Sequence, residues 1–257
     1  MRKIFQNTKF GRLLPAALLL ILLAAVCEAV VALELLPRSV FAPPSDVFRA
    51  IPAVLAGLLP YLAQTALESA VGFAISAAVA FALAMAMDRF KIVAAAIRPL
   101  LVVMQAVPLF ALAPLFVVWF GFGIAPKIVT VVLICSFPIL IGAYEGLSSA
   151  PSAMLDLMDG MNAGYFAKLW HVKLPASVPA LFSGMAIAGT YCVTGAVIGE
   201  WMGGDGGLGT LMMRYKNTYS YDKMFVVIIV ICLLSLLIYG AVSFAKRILT
   251  PWDESVK

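Results

Sequence analysis

Apolar residues fill six long runs of the chain, and short polar connections separate the runs. A helix needs about 20 apolar residues to cross the hydrocarbon of a bilayer, and each run is close to that length. The pattern predicts an all-α fold, a polytopic transmembrane helix bundle with about six spans. The predicted spans cover residues 13–36, 62–87, 99–120, 128–144, 178–199 and 224–244.

The composition supports one integral bundle over residues 1–257. Of the 257 residues, 63% are hydrophobic and only 12% are charged, which excludes a soluble globular domain. The net charge of +5 comes from basic residues at span ends, so we assign it to membrane topology and expect no nucleic-acid partner. The four cysteines lie inside apolar runs without a CxxC pair, and we expect neither a disulfide nor a metal site.

Residues 152–175, which we call the docking loop, form the most polar internal segment. Two apolar faces recur at helical spacing, the first made of Met154, Leu155, Met158 and Met161, the second of Phe166, Leu169 and Trp170. Asn162 lies between them and tolerates the left-handed conformation that ends a helix. The loop is predicted to form two short amphipathic helices with a bend at Asn162, the second ending at Leu174 and Pro175.

Two environments fit such a loop. Exposed apolar faces on short helices usually indicate a partner protein. The alternative is a segment lying on lipid headgroups, but Lys168 and Lys173 are balanced by Asp156 and Asp159, so the cationic excess typical of a membrane-surface helix is missing. Docking to a protein is the favoured interpretation.

The docking loop resembles the cytoplasmic loop of the membrane subunits of binding-protein-dependent ABC importers. That loop reads Glu-Ala-Ala, three residues, Gly, nine residues, an aliphatic residue, one residue, then Leu-Pro. The corresponding residues here are Asp156, Leu157, Met158, Asn162, Val172, Leu174 and Pro175. Asp replaces Glu, Leu-Met replaces Ala-Ala and Asn replaces Gly.

Other segments extend the resemblance to nearly the whole chain. Residues 106–123, AVPLFALAPLFVVWFGFG, are similar to the third span of the family, and Pro108 and Pro114 predict a kink there. Residues 36–50 resemble the outer loop of the nitrate, sulfonate and taurine branch. Residues 199–225 resemble the last outer loop of members that move thiamine-type pyrimidine precursors or riboflavin. Glu68 departs from the family, which often has a basic residue near that position.

The resemblance implies a type I ABC importer permease with several partners. These are ATP-binding cassette subunits, a second permease subunit, with a homodimer expected, and an extracytoplasmic substrate-binding protein. No GxxxxGK[ST] motif occurs, so ATP and magnesium are expected on the separate ATPase subunit and no cofactor on this chain. Residues 204–209 match GxGxxG but follow an apolar run instead of a strand, which excludes dinucleotide binding.

The resemblance also assigns residues. The expected ATPase contact consists of Asp156, Met158, Asp159, Asn162, Ala163 and Phe166. The expected translocation path includes polar residues of the third and fifth spans, namely Gln105, Tyr191, Thr194 and Glu200, although each of these also fits helix packing. No catalytic residue is expected.

Charge distribution predicts the orientation in a bacterial cytoplasmic (inner) membrane. With six spans and both termini in the cytoplasm, 12 of the 18 lysines and arginines lie on the inner side together with the docking loop. The glycine pair Gly195 and Gly199 predicts close helix contact, either within one bundle or across a dimer.

Two rival functions and two substrate classes stay open. A transporter driven by an ion gradient would need ionisable groups near mid-membrane, whereas Glu28, Glu68 and Glu200 fall toward outer ends. A membrane-embedded enzyme would need a nucleophile with a base, and His171 is the only histidine. The expected substrate is a pyrimidine or riboflavin-like heterocycle, with a nitrate, sulfonate or taurine-like anion as the alternative.

Overall fold

The structure is a computed structural model that describes residues 9–35, 37 and 41–251. The described residues form helices without a strand. In chain order they are α1 (Lys9–Ala32), α2 (Pro44–Arg89), α3 (Lys91–Ala106), α4 (Leu109–Phe120), α5 (Ile124–Ser148), α6 (Ser152–Gly160), α7 (Tyr165–Lys168), a π-helical turn (Leu169–Lys173), α8 (Leu174–Gly203), α9 (Leu208–Asn217) and α10 (Tyr221–Leu249). The predicted all-α membrane fold is confirmed.

Four helical stretches of the described chain are long and apolar enough to cross a membrane: Pro44–Arg89, Ile124–Ser148, Tyr165–Met202 and Tyr221–Leu249. The pair α3 and α4 counts as a fifth if the two are taken as one bent span, and Ile21–Ala32 adds a shorter apolar helix. The 46 residues of α2 combine the predicted span over 62–87 with the segment before it. Residue 36 of the first predicted span lies outside the described residues. The terminal segments 1–8 and 252–257 also lie outside them, and the predicted cytoplasmic location of both termini depends on these segments.

The third predicted span is broken at Pro108, between α3 and α4. The axes of α3 and α4 differ by 106°. Val107 is extended, with φ −75° and ψ 124°, because a residue before proline is pushed out of the helical region. Pro114, the other predicted cause of the kink, lies inside α4.

The described residues fall into two compact units, the first made of those up to residue 59 with 211–229 and the second of 60–210 with those from residue 230 onward. Helices α2, α9 and α10 each pass from one unit into the other, so this division does not test the prediction of one permease domain. In the first unit, the Ser45 hydroxyl donates to Glu28 Oε1 at 2.7 Å. The second unit has a core built on α5 and α8, with Cys135, Ile139, Ala188 and Val193 fully buried.

Helices α5 and α8 approach each other at glycines. A Cβ on Gly142 of α5 would lie 2.6 Å from the Ala180 carbonyl oxygen of α8, and one on Gly184 would overlap the Pro138 carbonyl oxygen. Gly195 and Gly199 face Val131 and Lys127 of α5 in the same way. The GxxxG pair is therefore used within the bundle of one chain.

The prediction that the second helix of the docking loop ends at Leu174 and Pro175 is wrong. The chain stays helical from Tyr165 through the π-helical turn into α8. Proline in a helix clashes with the carbonyl four residues earlier, and a wide turn before it relieves that clash. Pro175 directly follows that wide turn, as the second residue of α8.

Candidate functional site

The docking loop presents apolar side chains that the described part of the chain leaves uncovered. Met154, Leu157, Met161, Phe166 and Trp170 are 55–74% exposed. The predicted first helix is present as α6, but its exposed face differs from the predicted one, because Leu155 and Met158 are half-buried and Leu157 is exposed. Sequence spacing located the helix without showing which side would face the protein.

The bend of the docking loop lies where it was expected. Asn162 is left-handed, with φ 55°, and follows the last turn of α6. Of the residues expected at an ATPase contact, Asp156, Asp159, Asn162 and Phe166 are exposed, and Met158 and Ala163 are half-buried. Asp159 forms an ion pair with Lys168 of α7 that closes the loop on itself.

A charged contact, which we call the loop anchor, ties the docking loop to the end of α2. Lys173 Nζ lies 2.6 Å from Asp88 Oδ1, with side-chain exposures of 18% and 6%. The Tyr165 hydroxyl donates to Asp88 Oδ2 at 3.0 Å, and the Arg89 guanidinium lies 4.7 Å from the Tyr165 ring centre. Leu169 and Val172 are buried beside these contacts. A force on the docking loop is therefore passed directly to α2 and α8.

A cavity of about 580 Å³, the chamber, lies among α3, α4, α5 and α8. Three of the four residues expected on a translocation path, Gln105, Tyr191 and Thr194, line it together. The other lining residues are all apolar: Met104, Val107, Phe110, Ile134, Phe137, Pro138, Ile141 and Ile198. The chamber therefore combines apolar and aromatic walls with three uncharged polar groups, the usual character of a small-molecule site.

A second cavity of about 360 Å³ shares Ile141 with the chamber. It differs in polarity, because Arg98 and Glu145 are among its lining residues. Arg98 Nη2 donates to the Tyr144 hydroxyl at 2.8 Å, and its guanidinium lies 5.2 Å from the Tyr144 ring centre. The lining residues on α5 recur at helical spacing, so the two cavities follow one face of that helix.

Glu200, the fourth residue expected on the path, does not line the chamber. It belongs to what we call the charged cluster, Glu68, Lys127 and Glu200, whose exposures are 0%, 1% and 2%. Lys127 Nζ lies 2.8 Å from Glu68 Oε1, and the Thr65 hydroxyl donates to Glu200 Oε1 at 2.6 Å. Taking charges out of water is unfavourable unless they are paired and hydrogen-bonded. Lys127 and Glu68 form an ion pair and Glu200 accepts two hydrogen bonds, whereas Glu68 Oε2 has no hydrogen-bond partner among the described residues.

The charged cluster also holds residues 204–209, the glycine-rich loop. Lys127 Nζ donates to the Gly206 carbonyl oxygen at 3.3 Å, and the Gly209 N–H donates to Glu200 Oε2. A Cβ on Gly206 would overlap Gln64 Oε1, and one on Gly207, with φ +101°, would overlap Glu200. The GxGxxG match therefore reflects close packing on buried side chains.

The sequence interpretation missed the partners of these charges. Lys127 was only one of the six basic residues assigned to the outer side, Lys173 entered only the charge balance of the docking loop, and Asp88 and Tyr165 were given no role. The sequence did contain a signal for one of these pairs: Glu68 lies in one apolar run and Lys127 at the start of another. Ionisable groups in such runs usually pair with each other. No cluster of metal ligands occurs among the described residues.

Comparisons with known proteins agree with this architecture. The profile of a family described as binding-protein-dependent transport system inner membrane component matches residues 78–251. A probable ABC transporter permease protein of Haemophilus influenzae is 35% identical over 233 residues, which cover 91% of this chain and 95% of that protein. The formylaminopyrimidine transport permease protein ThiX of Halalkalibacterium halodurans is 33% identical over 194 residues, covering 76% of this chain and 78% of that protein.

A solved structure has the same fold. It is the MetNI methionine ABC transporter in inward-facing conformations, with a TM-score of 0.59 and 22% sequence identity. The alignment covers 77% of this chain and 96% of that chain.

The loop anchor predicts a local stability difference between two lysines. Lys173→Met removes the partner of a largely buried Asp88, whereas Lys168→Met removes the partner of Asp159, which is 64% exposed. Breaking a buried pair costs about 3–5 kcal/mol, against about 0–1 kcal/mol for an exposed one. We expect amides of residues 165–173 to exchange hydrogen at least about tenfold faster in Lys173→Met, since ~1.4 kcal/mol is a tenfold change. Equal exchange in both variants would show that Asp88 does not hold the loop.

Proposed function

The chain belongs to the inner membrane components of binding-protein-dependent transport systems and is a permease subunit of an ABC importer, and we propose that it imports a small, uncharged heterocycle. Its docking loop contacts an ATPase subunit in the cytoplasm, and a soluble binding protein delivers the solute at the opposite face. The observation that carries the proposal is the joint lining of one uncharged chamber by Gln105, Tyr191 and Thr194.

The docking loop supports the assignment of the ATPase contact. Its exposed apolar side chains lie on α6, α7 and the following turn, and the loop anchor connects them to two membrane-crossing helices. An apolar helix face that fits a groove is a common mode of protein recognition. ATP hydrolysis on the separate subunit then supplies the energy, and closure of the ATPases moves the bundles as rigid bodies.

Exposure of the polar chamber residues supports a second copy of the chain. Gln105 and Thr194 are exposed, and Tyr191 is 51% exposed, although all three lie within apolar stretches. Polar side chains in a span face other helices or a wet cavity in preference to lipid. A homodimer in which two chambers face each other covers these groups and encloses the path.

The chamber also bears on the choice between the two substrate classes. Its lining residues include no lysine, arginine or histidine, and sulfonate, nitrate or taurine would have to leave water without a cationic partner. Phe110, Phe137 and Tyr191 offer faces for stacking, and Gln105 and Thr194 offer hydrogen bonds. A pyrimidine such as the one in the name of ThiX fits this chemistry better than an anion does.

The ATPase contact is tested by changing charge and bulk on the docking loop. Asp159→Lys combined with Phe166→Ala is expected to weaken co-purification of the ATPase subunit about tenfold or more, because truncating a central apolar anchor usually has that effect. Membrane insertion should be unchanged. Phe48→Ala is the matched control, since Phe48 is 71% exposed and Phe166 73%. If the double variant assembles with the ATPase subunit and takes up solute normally, the docking loop has another role.

The substrate class is tested by placing opposite charges at one chamber position. Thr194→Asp and Thr194→Lys are both expected to lower uptake of the solute that the binding protein carries, because a neutral solute gains from neither charge. Thr194→Val is the uncharged control, and uptake is measured in proteoliposomes that hold the complete complex. Uptake that survives in Thr194→Lys and disappears in Thr194→Asp would instead establish an anionic substrate.

A further inference from the structure

The charged cluster joins four segments of the second unit at one buried point. Glu68 comes from α2, Lys127 from α5 and Glu200 from α8, and the fourth segment is the glycine-rich loop. Gln64 adds a hydrogen bond of 3.0 Å to Glu68 Oε1. The loop is therefore fixed to three helices at once, by side chains that water does not reach.

The first two amide groups of α9 are already occupied. The Leu208 N–H donates to Thr65 Oγ1 at 2.8 Å, and the Gly209 N–H donates to Glu200 Oε2. Free amides at a helix start attract phosphates, and here a carboxylate of the chain itself takes that place. The loop is thus an attachment point of the bundle and offers no nucleotide site.

Two of the attached helices also carry the chamber. Ile134 of the chamber follows Lys127 on α5 by about two helical turns, and Ile198 of the chamber lies within one turn of Glu200 on α8. Gly199 lets the Lys127 stem cross α8, since a Cβ there would lie 2.8 Å from Lys127 Cα. A displacement of the loop is therefore passed to helices that wall the chamber.

A buried ion pair is not required for stability alone. Apolar residues of similar volume often give an equally stable core, and retained pairs are best explained where they specify one arrangement. The arrangement specified here is the contact of the loop with α2, α5 and α8. Asp205, at the tip of the loop, is exposed and available to a partner.

We propose that Glu68, Lys127 and Glu200 are positioning residues for import, which make the glycine-rich loop the point where contact with the binding protein is passed to the chamber helices. This inference rests on the proposed delivery of solute by a binding protein at that face. The loop is then the counterpart of the docking loop, at the other end of α8.

The first test measures ATP hydrolysis by the complete complex in proteoliposomes, with and without loaded binding protein. In Glu68→Gln and in Lys127→Met, the ratio of stimulated to basal hydrolysis is expected to fall about fivefold or more, the lower range of couplings between sites. The double variant Glu68→Lys with Lys127→Glu swaps the two charges and should restore most of the ratio of stimulated to basal hydrolysis. Thr130→Val is the control, because this buried hydroxyl on α5 bonds only Pro126 of its own helix.

The second test needs neither the ATPase nor the binding protein. A spin label on Asp205→Cys should become more mobile in Glu68→Gln and Lys127→Met, and should keep its mobility in Thr130→Val. If Lys127→Met does not assemble, Gly207→Ala strains the loop backbone at φ +101° with all charges intact and should also lower the stimulation ratio.

The outcomes separate this inference from the proposed function. Unchanged label mobility would overturn the inference, and so would a mobile loop with a normal stimulation ratio, because the cluster would then have only a structural role. A wild-type complex that shows no stimulation by any binding protein would overturn the proposed function, while the label would still report whether the cluster holds the loop.

Discussion

Two groups of buried charges on α2 and α8 are the constraint on which the rest of the structure depends. Asp88 at the end of α2 pairs with Lys173 just before α8, and Glu68 in the middle of α2 meets Lys127 and Glu200. Glu68 and Asp88 of α2 are about 30 Å apart along the helix, roughly the thickness of the hydrocarbon. Sliding or rotation of α8, or of the part of α2 between Glu68 and Asp88, would separate these buried groups from their partners, so both segments are held in one register.

Between these two groups of charges, glycines bring α5 and α8 into backbone contact, and the chamber lies on another face of the same helices. Because both helices carry the chamber, a change at either loop alters the same walls. This arrangement agrees with an importer in which ATP acts on one face and a loaded binding protein on the other. In the proposed function, the polar residues Gln105, Tyr191 and Thr194 of the chamber meet the solute, and the buried charges lie away from it.

The sequence predicted the helical membrane fold, the docking loop and the bend at Asn162, because apolar run length, helical periodicity and left-handed tolerance are local properties. It also placed Gln105, Tyr191 and Thr194 among the path candidates, which the structure brings into one cavity. Glu200 could not be separated from them by sequence alone. Its burial depends on Thr65, which is far away in sequence, and on Gly209, which lies on another segment. The continuous helix through Pro175 was missed because a π-helical turn leaves no recognisable spacing. Long-range pairs such as Asp88 with Lys173 are decided by packing, which one sequence does not reveal.

The central claim is that the docking loop and the glycine-rich loop of one chain move together. The most direct measurement is the distance between spin labels on Leu157→Cys and Asp205→Cys, in a chain whose four native cysteines are replaced and with labelled copies diluted into unlabelled ones. ATP binding should leave this distance unchanged while the distance between Leu157→Cys labels on two copies changes. If the distance between the two labels within one copy changes as much as the distance between labels on two copies, the account is contradicted.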